Sequence, residues 1–387
     1  MFQEPFLAVA RLRPFFMRRS FLRSFLPVIF LAVTGLIALL VSGTPLGLPF
    51  ERLIVLEGLG GSDMEFLEDP RVSEVLLQHH IRAQGEDVGS RAAANAKSAG
   101  DFVFVSGQPA ADQVFKMHPN SRSYHPFVSP IVLATFRDYA DTLSANKIAE
   151  PRAARIPFDG PYYYDLNMSN FLNLGNVSWD KLKERTVPNN NAILGQFTGL
   201  CMSNGADTYL GLVSFVKHGR VPIDEQEAIG FANDIKPLLR SQGLPFHIPQ
   251  WKYFSELGPQ VAPIVVMYEH QWLAGQVDHI KRFHALYDDR VVLYPNPQFT
   301  TEPAFIALNE NAKQLGDLLE TNPALRMRAL ELGFRVLTRP GIDPGESLST
   351  FLSKQGVPVP PTAVNTNAKL PDNYLLDKMI SVVGDCR

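Results

Sequence analysis

The sequence predicts an α/β protein of two lobes, preceded by one N-terminal transmembrane helix. Three observations support this prediction. Apolar runs alternate along the chain with segments of helical periodicity, which is typical of parallel sheets covered by helices. Residues 44–387 form a segment that is longer than a single hydrophobic core usually organises, so two lobes are expected. A stretch without charged residues, 25–43, follows a basic N-terminus.

The N-terminal stretch has the features of a membrane anchor. At about 1.5 Å of rise per residue, a helix from Phe25 to Val41 covers most of a bilayer core of roughly 30 Å. The flank before it has a single acid, Glu4, and five arginines: Arg11, Arg13, Arg18, Arg19 and Arg23. Because positive flanks stay in the cytoplasm, we expect 1–24 to be cytoplasmic.

Residues 25–43 would then cross the cell membrane once, and residues 44–387 would fold on the extracytoplasmic side. A cleavable signal peptide is the alternative, because Val41-Ser-Gly43 offers small residues to a processing enzyme.

Composition excludes some classes of partner. The chain has 36 basic and 39 acidic residues and a formal net charge of −3, so nothing indicates binding to nucleic acid. Its two cysteines, Cys201 and Cys386, both fall in the extracytoplasmic part, where an oxidising compartment permits a disulfide. The sequence leaves open whether they form a disulfide or two separate thiols.

The order of the elements follows from the apolar runs. A strand at 53–56 leads to a helix at 69–79, in which Asp69 is the cap and Pro70 takes the first position. The apolar run 129–134 predicts another strand. The order of strand, loop and helix recurs three times. The predicted strand at 102–105 precedes a helix from 110, the strand at 193–194 precedes a helix at 206–216, and the strand at 264–267 precedes a helix from 272.

The C-terminal part is predicted to be helical. Residues 304–334 repeat apolar residues at helical spacing, with a break at Asn322-Pro323. Beyond Gly341, a segment rich in Pro, Ser, Thr and Asn predicts an irregular strap, followed by a last helix at 374–383.

Four loops ahead of predicted helices carry small polar residues. In a parallel sheet, such loops meet at one crevice, where backbone N–H groups and helix N-termini can hold a ligand. Arg91 adds a cation suited to an oxyanion, and Glu269 adds an acceptor for a ligand, unless it pairs with Arg91 or a lysine. The predicted ligand-binding residues are Gly61, Ser62, Asp63, Arg91, Ser106, Gln108, Ser203, Asn204 and Glu269.

No catalytic motif is present in the sequence. It lacks a Gly-x-Ser-x-Gly elbow, a Walker loop and a His-Glu-x-x-His pair. We therefore predict no catalytic residue, no metal site and no cofactor, and a protein that is not an enzyme. A hydrolase that uses Ser62 or Ser203 is an alternative, which requires a histidine or carboxylate within hydrogen-bond reach of the serine.

The order and spacing of these segments resemble the bacterial extracellular solute-binding proteins, which have the type II periplasmic binding protein fold. The segments that carry the resemblance include LIVLEGLGGSDMEFLEDPRV, DFVFVSGQPAADQV, CMSNGADTYLGL, APIVVMYEHQWLA and VVLYPNPQF. The resemblance implies that a ligand is clamped between two α/β lobes. It implies lobe 1 at about 51–133 plus 269–387 and lobe 2 at about 134–268, with crossings near 129–134 and 264–268.

The resemblance also implies a function. It predicts a membrane-tethered extracytoplasmic receptor that binds a small polar solute and serves an ABC-type transporter, a surface sensor or another membrane protein. The alternative is an interaction or assembly module that retains the binding fold without carrying a ligand. No cysteine for lipid attachment follows the hydrophobic segment, so an uncleaved anchor would keep the receptor beside its partners.

Overall fold

Two β-sheets organise the part of the chain that the structure, a computed structural model, describes. The described residues are 52–152, 160–201, 203–241, 250–361 and 367–386. Residues 53–387 form one unit. The predicted anchor, 25–43, and the basic segment before it lie outside the described residues. Within those residues, no helix combines the length and the apolar character that crossing a membrane requires.

The strands alternate with helices along much of the chain. The strands are β1 Ile54–Gly60, β2 Ile81–Asp87, β3 Phe102–Val105, β4 Arg122–Tyr124, β5 Phe127–Phe136, β6 Ala149–Pro151, β7 Tyr163–Asn167, β8 Ile264–Tyr268, β9 Arg290–Asn296, β10 Thr300–Thr301, β11 Ala304–Ala307 and β12 Arg335–Val336. The helices are α1 Met64–Glu68, α2 Pro70–Gln78, α3 Ser90–Asn95, α4 Gln108–Met117, α5 Arg137–Ala145, α6 Met168–Asn173, α7 Asn204–His218, α8 Glu225–Ser241, α9 Gln250–Phe254, α10 Gly258–Val261, α11 Glu269–Phe283, α12 Glu310–Thr321, α13 Pro323–Glu331, α14 Leu348–Gln355 and α15 Asn373–Gly384.

Lobe 1 is built on a five-stranded sheet in the order β2-β1-β3-β11-β4. β1 runs parallel to β2 and β3, whereas β11 is antiparallel to β3 and β4. Aromatic side chains fill its core, where the rings of Phe102 and Phe305 stack with centroids 5.0 Å apart. The parallel part of this sheet directs the ends of β1, β2 and β3, with the loops that follow them, toward one edge.

Lobe 2 is built on a sheet in the order β10-β5-β9-β7-β6, with β8 also paired to β5. Only β7 and β9 run parallel in this sheet among the described strands, and the other pairs are antiparallel. Its core contains Trp179, Trp272 and Tyr209, each buried, together with apolar residues of α14 and α15. The C-terminal helix is therefore part of the lobe 2 core.

Three strands connect the lobes. The first residues of β5, Phe127 and Val128, pair with β12, and the next ones pair with β10. From Ile131 onward, β5 pairs with β8 and β9 inside lobe 2. The chain thus crosses to lobe 2 along β5, returns along β10, and crosses again along β12.

These pairings divide the chain differently from the predicted lobe boundaries. The segment 264–268, expected to return the chain to lobe 1, is β8, a strand of lobe 2 that pairs with β5. β9 also belongs to lobe 2, and so do α14 and α15, although all three fall within 269–387. The physical reason is that the apolar run of β9 finds its pairing partners in β5 and β7, which the local sequence does not reveal.

Other elements also differ from the prediction. Residues 304–307 form β11 and not a helix, because all four are buried and paired on both sides. Residues 193–194 form no strand, since this segment makes only isolated bridges at Ala192 and Gln196. The two sheets are mixed and not purely parallel. The predicted break at Asn322-Pro323 does separate α12 from α13.

Candidate functional site: the crevice between the lobes

The crevice between the lobes gathers the loops that end strands and begin helices. Lobe 1 contributes the starts of α1, α3 and α4, and lobe 2 contributes the starts of α7 and α11. Asn204 connects the lobes directly, because its side-chain amide donates to the Ser106 carbonyl at 2.8 Å and to the Tyr268 hydroxyl at 2.9 Å. The lobes are therefore in contact at the centre of the crevice.

A buried carboxyl lies beside this contact. Asp63 is 7 % exposed and accepts a short hydrogen bond from the Ser106 hydroxyl. The Ser106 N–H in turn donates to the Ser90 hydroxyl at 3.0 Å. Burial is the main cause that raises the pKa of Asp63 to about 7. The Ser106 hydrogen bond opposes this rise, and the nearby Glu65 and Asp87 add to it. Near neutral pH, Asp63 is consequently divided between its protonated and ionised forms.

Glycine is required at Gly61 for the same arrangement. A Cβ atom at this position would lie 2.3 Å from the Ser90 hydroxyl oxygen and 2.9 Å from the Ser90 nitrogen. The bare backbone lets the loop after β1 approach α3 closely, which keeps Asp63, Ser90 and Ser106 together.

The central contacts divide the crevice into two halves. We name the first the Arg91 half, defined by Arg91, Gly107, Asn204, Asp207 and the facing side of α15. The Arg91 guanidinium lies 3.3 Å from the Asp377 carboxylate and donates to the Cys201 carbonyl at 3.2 Å. Leu370, Asn373, Leu376 and Ile380 fill this half, leaving a cavity of about 10 Å³.

We name the second the Asp63 half, a cavity of about 340 Å³. Its walls come from both lobes, with α1 on one side and the start of α11 on the other. Phe66, Ala274 and Phe334 form its apolar surface. Its polar lining consists of Ser62, Asp63, Glu65, Asp69, His270 and Gln271.

Electrostatics in the Asp63 half are acidic. Burial raises the pKa of Glu65, and Asp87 and Glu68 raise it further. Asp69 is compensated, because it accepts two hydrogen bonds from the Arg328 guanidinium at 2.6 and 3.0 Å. His270 contributes no positive charge, because burial lowers its pKa to about 3. Asp63 and Glu65 therefore carry the uncompensated charge of this cavity.

His270 is held as part of the wall. Its ring stacks on Phe334 with centroids 3.9 Å apart, and its Nδ1 lies 3.0 Å from the Ser129 hydroxyl. Ser129 belongs to β5, one of the three connecting strands, so the cavity wall is attached to the connection between the lobes.

Glu269 does not face the cavity. It is 1 % exposed and forms a bidentate ion pair with Arg335, at 2.6 and 2.7 Å, and it also accepts a short hydrogen bond from Tyr294. Of the two roles that the sequence leaves open, ligand acceptor or partner of a cation, the structure has the second. The cation is Arg335 of β12 and not Arg91.

The other predicted residues are spread around the crevice. Gln108 is exposed and donates to Asp112 at 2.8 Å on its own helix. Ser62 lines the Asp63 half. The Ser203 hydroxyl accepts from Thr198 at 2.5 Å, and a threonine hydroxyl cannot serve as the base that a hydrolase would need. The structure thus brings together Gly61, Asp63, Ser106 and Asn204, and places Arg91 in the opposite half.

Sequence reasoning missed several residues of the crevice. Tyr268 and His270 flank Glu269 at the end of β8, so the strand-end argument that selected Glu269 applies to them as well. Ser90 directly precedes Arg91, and only Arg91 carries the charge on which the prediction of an oxyanion partner is based. Asp207 and Asp377 reach the site from helix faces, for which the sequence has no local signal.

The two cysteines form a disulfide in the structure, Cys201 to Cys386. It joins the loop before α7 to the end of α15. Among the described residues, no group of three or more His, Cys, Asp and Glu side chains is arranged to hold a metal.

A larger cavity, of about 540 Å³, lies in lobe 2 around Phe136–Tyr139. We do not assign the site there, because its polar groups already stabilise the fold. Arg137 donates to the Asp288 carbonyl at 2.6 Å, and Asn189 donates at 2.9 Å to Tyr139, which itself donates to the Pro259 carbonyl at 2.8 Å.

Comparison with known proteins yields similarity of fold. No family model and no curated protein matches the chain. Solved structures do. They include the substrate-binding protein of an ABC transporter from Agrobacterium tumefaciens, with 10 % identity, a TM-score of 0.48 and coverage of 87 % of this chain and 96 % of that one.

Two further structures have similar scores. Apo FutA2 from Synechocystis PCC6803 has 10 % identity, a TM-score of 0.45 and coverage of 86 % and 98 %. The periplasmic binding protein AfuA from Actinobacillus pleuropneumoniae, with fructose-6-phosphate bound, has 10 % identity, a TM-score of 0.45 and coverage of 85 % and 93 %. The structural neighbours of this chain are periplasmic solute-binding proteins of ABC transporters.

Proposed function

We propose that this protein is a receptor that binds a small polar solute in the Asp63 half of the crevice. The observation that carries this proposal is the cavity of about 340 Å³ whose walls belong to different lobes. Its volume falls in the usual range of small-molecule sites, roughly 300–1,000 Å³. Because α1 packs in the core of lobe 1 and α11 packs in the core of lobe 2, movement of the lobes about the connecting strands would open and close the cavity.

The lining favours a solute that donates hydrogen bonds. Asp63 and Glu65 offer carboxylate oxygens, Ser62 offers a hydroxyl, and Gln271 offers a side-chain amide. Phe66 and Phe334 present apolar surface for the carbon skeleton of the solute. A solute with hydroxyl or ammonium groups fits this lining better than an oxyanion, which the two carboxylates would repel.

We further propose that residues 25–43 tether this receptor to the cell membrane and that its partner is a membrane transporter or another membrane protein. The charge-free stretch and its basic flank support the tether. N-terminal sequencing of the mature protein tests it. An intact N-terminus is expected, whereas a start at Thr44 would make the protein freely diffusing.

The second candidate function is an interaction module that binds no solute. The observation that favours it is the packing of the Arg91 half, where α15 leaves only about 10 Å³. Native mass spectrometry of the mature protein purified from its host separates the two functions, because a receptor is expected to retain a small molecule and a module is not.

A matched pair of variants locates the site. Ala274→Trp places a large side chain in the Asp63 half, and Lys281→Trp places the same side chain on an exposed turn of the same helix. We expect Ala274→Trp to lose the retained molecule and Lys281→Trp to keep it. Retention of the molecule by both variants would refute this location of the site.

A further inference from the structure

Helix α15 moves with lobe 2, because its buried side is part of the lobe 2 core. Leu376, Met379, Ile380 and Val383 pack in that core and not in either core cluster of lobe 1. The disulfide from Cys386 to Cys201 fixes the end of the helix to the loop before α7, which also belongs to lobe 2.

Charged contacts reinforce this attachment. Lys236 of α8 donates to the Asp385 carboxylate at 2.9 Å and to the Val382 carbonyl at 2.6 Å. At the other end of the helix, Lys378 lies 2.9 Å from Glu225, which also accepts a short hydrogen bond from Tyr374. Both ends of α15 are therefore bound to α8.

The same helix also faces lobe 1. Asn373, Leu376 and Ile380 approach Gly107 and Pro109 at the start of α4, across a cavity of about 10 Å³. Arg91 and Asp377 form an ion pair at 3.3 Å across this boundary, with side chains 25 % and 34 % exposed. Contact with lobe 1 is thus slight in comparison with the attachment to lobe 2.

A third charge lies beneath this pair. Asp207 of α7 is 6 % exposed, and its Oδ1 has no hydrogen-bond partner among the described residues. Burial of a carboxylate oxygen without a hydrogen-bond partner is costly, and opening of the crevice would return this oxygen to water. The closed arrangement is therefore opposed by Asp207 and supported by the pair of Arg91 with Asp377.

We propose that α15 is a wedge fixed to lobe 2 and that it blocks solute from the Arg91 half. The Arg91–Asp377 ion pair is the latch that holds lobe 1 closed against α15. The proposal concerns regulation of the crevice and takes its physiological meaning from the proposed receptor function. It predicts that the lobes separate between α15 and α4 and not between α15 and α8.

Hydrogen–deuterium exchange on the full chain, with no solute added, tests the latch. Asp377→Asn removes the charge of the latch and keeps its size, whereas Lys378→Gln removes the neighbouring charge that faces Glu225. We expect Asp377→Asn to speed exchange about two- to fivefold in peptides covering α3 and the start of α4, because an ion pair of this exposure contributes modestly. Lys378→Gln should leave those peptides unchanged.

Reduction of the disulfide in the folded wild-type protein tests the wedge without any substitution. We expect faster exchange in α15 and at the start of α4, with α2 in the lobe 1 core unchanged. The proposal is overturned if Asp377→Asn leaves α3 and α4 as protected as in the wild type, or if reduction frees α15 while the start of α4 stays protected.

These outcomes are independent of the solute. If Ala274→Trp retains the bound molecule while Asp377→Asn speeds exchange, the location of the solute is wrong and the latch stands. If the exchange experiment fails while Ala274→Trp loses the molecule, the receptor stands and the wedge does not.

Discussion

The two halves of the crevice are built from the same kinds of parts but differ in what lies between them. Each half is bounded by loops after lobe 1 strands and by the start of a lobe 2 helix. The Asp63 half keeps about 340 Å³, whereas the Arg91 half keeps about 10 Å³ because α15 occupies it. Polar residues at strand ends therefore do not suffice to identify a binding site, because a distant segment of the same chain can fill it.

The boundary between the halves is a line of hydrogen bonds. It runs from Asp63 through Ser106 to Asn204 and Tyr268. Because Ser106 belongs to lobe 1 and Asn204 to lobe 2, this line also joins the two lobes. Opening of either half has to break it, so the two halves are expected to open together.

The largest expected effect comes from breaking the buried ion pair of Glu269 with Arg335. Arg335→Met leaves the buried carboxylate of Glu269 without its cation, which we expect to cost about 3–5 kcal/mol of unfolding free energy. Urea denaturation measures the loss. Arg282→Met, which removes an exposed pair with Asp278 on the same helix, should cost less than about 1 kcal/mol. Equal losses would show that Glu269 is not buried as described.

An effect of comparable size and opposite sign, confined to the Asp63 half, comes from Asp63→Asn. The raised pKa of Asp63, about 7, means that the folded protein keeps a proton that the unfolded chain releases near pH 4. The contribution of Asp63 to stability is therefore greatest below about pH 4, falls as the pH rises to about 7, and is level above that. Asp63→Asn should remove this fall and add on the order of 4 kcal/mol at pH 8.

Thermal unfolding from pH 4 to 8 measures the difference between Asp63→Asn and the wild type. Glu68→Gln is the control, because it changes an exposed carboxylate on the same helix. Parallel pH curves for wild type and Asp63→Asn would contradict the raised pKa.

The smallest effect concerns the Arg91 half alone. Burial raises the pKa of Asp207, and Asp377 raises it further, while Arg91 lowers it. Asp207→Asn should therefore stabilise the protein at pH 8 by about 1 kcal/mol, since an amide is cheaper to bury than a charge. Chemical denaturation at pH 8 measures the gain, with Asp234→Asn on the exposed face of α8 as the control. A loss of stability would mean that Asp207 is paired with Arg91 after all.

Much of the fold follows from local signals, and some of it does not. Residues 102–105 are a strand because four consecutive apolar residues need burial on both faces, and α2 begins at Pro70 because Asp69 caps it. β2 escapes prediction, since Ile81–Asp87 is a polar, exposed edge strand whose partner β1 determines it. The helical spacing of 304–334 hides β11 for the same reason, because sheet pairing overrides the local pattern.

The residues of the site also divide into those that local sequence predicts and those that distant partners determine. Loop chemistry predicts that Asp63, Ser106 and Asn204 meet. Strand order brings Asp63 and Ser106 to one edge of the lobe 1 sheet, and Asn204 reaches them from lobe 2. Loop chemistry does not predict that Arg91 pairs with Asp377, or that Glu269 pairs with Arg335, because these partners lie far away in sequence, on α15 and on β12.

The disulfide has one more consequence, for the connectivity of the chain. Cys201 and Cys386 are separated by 185 residues, and the chain between them leaves lobe 2, builds β11, α12 and α13 in lobe 1, and returns. This stretch is therefore a covalently closed ring that contributes elements to both lobes. A protease that cuts the ring once, anywhere along it, leaves a nicked molecule whose two pieces cannot separate until the sulfur bridge is reduced.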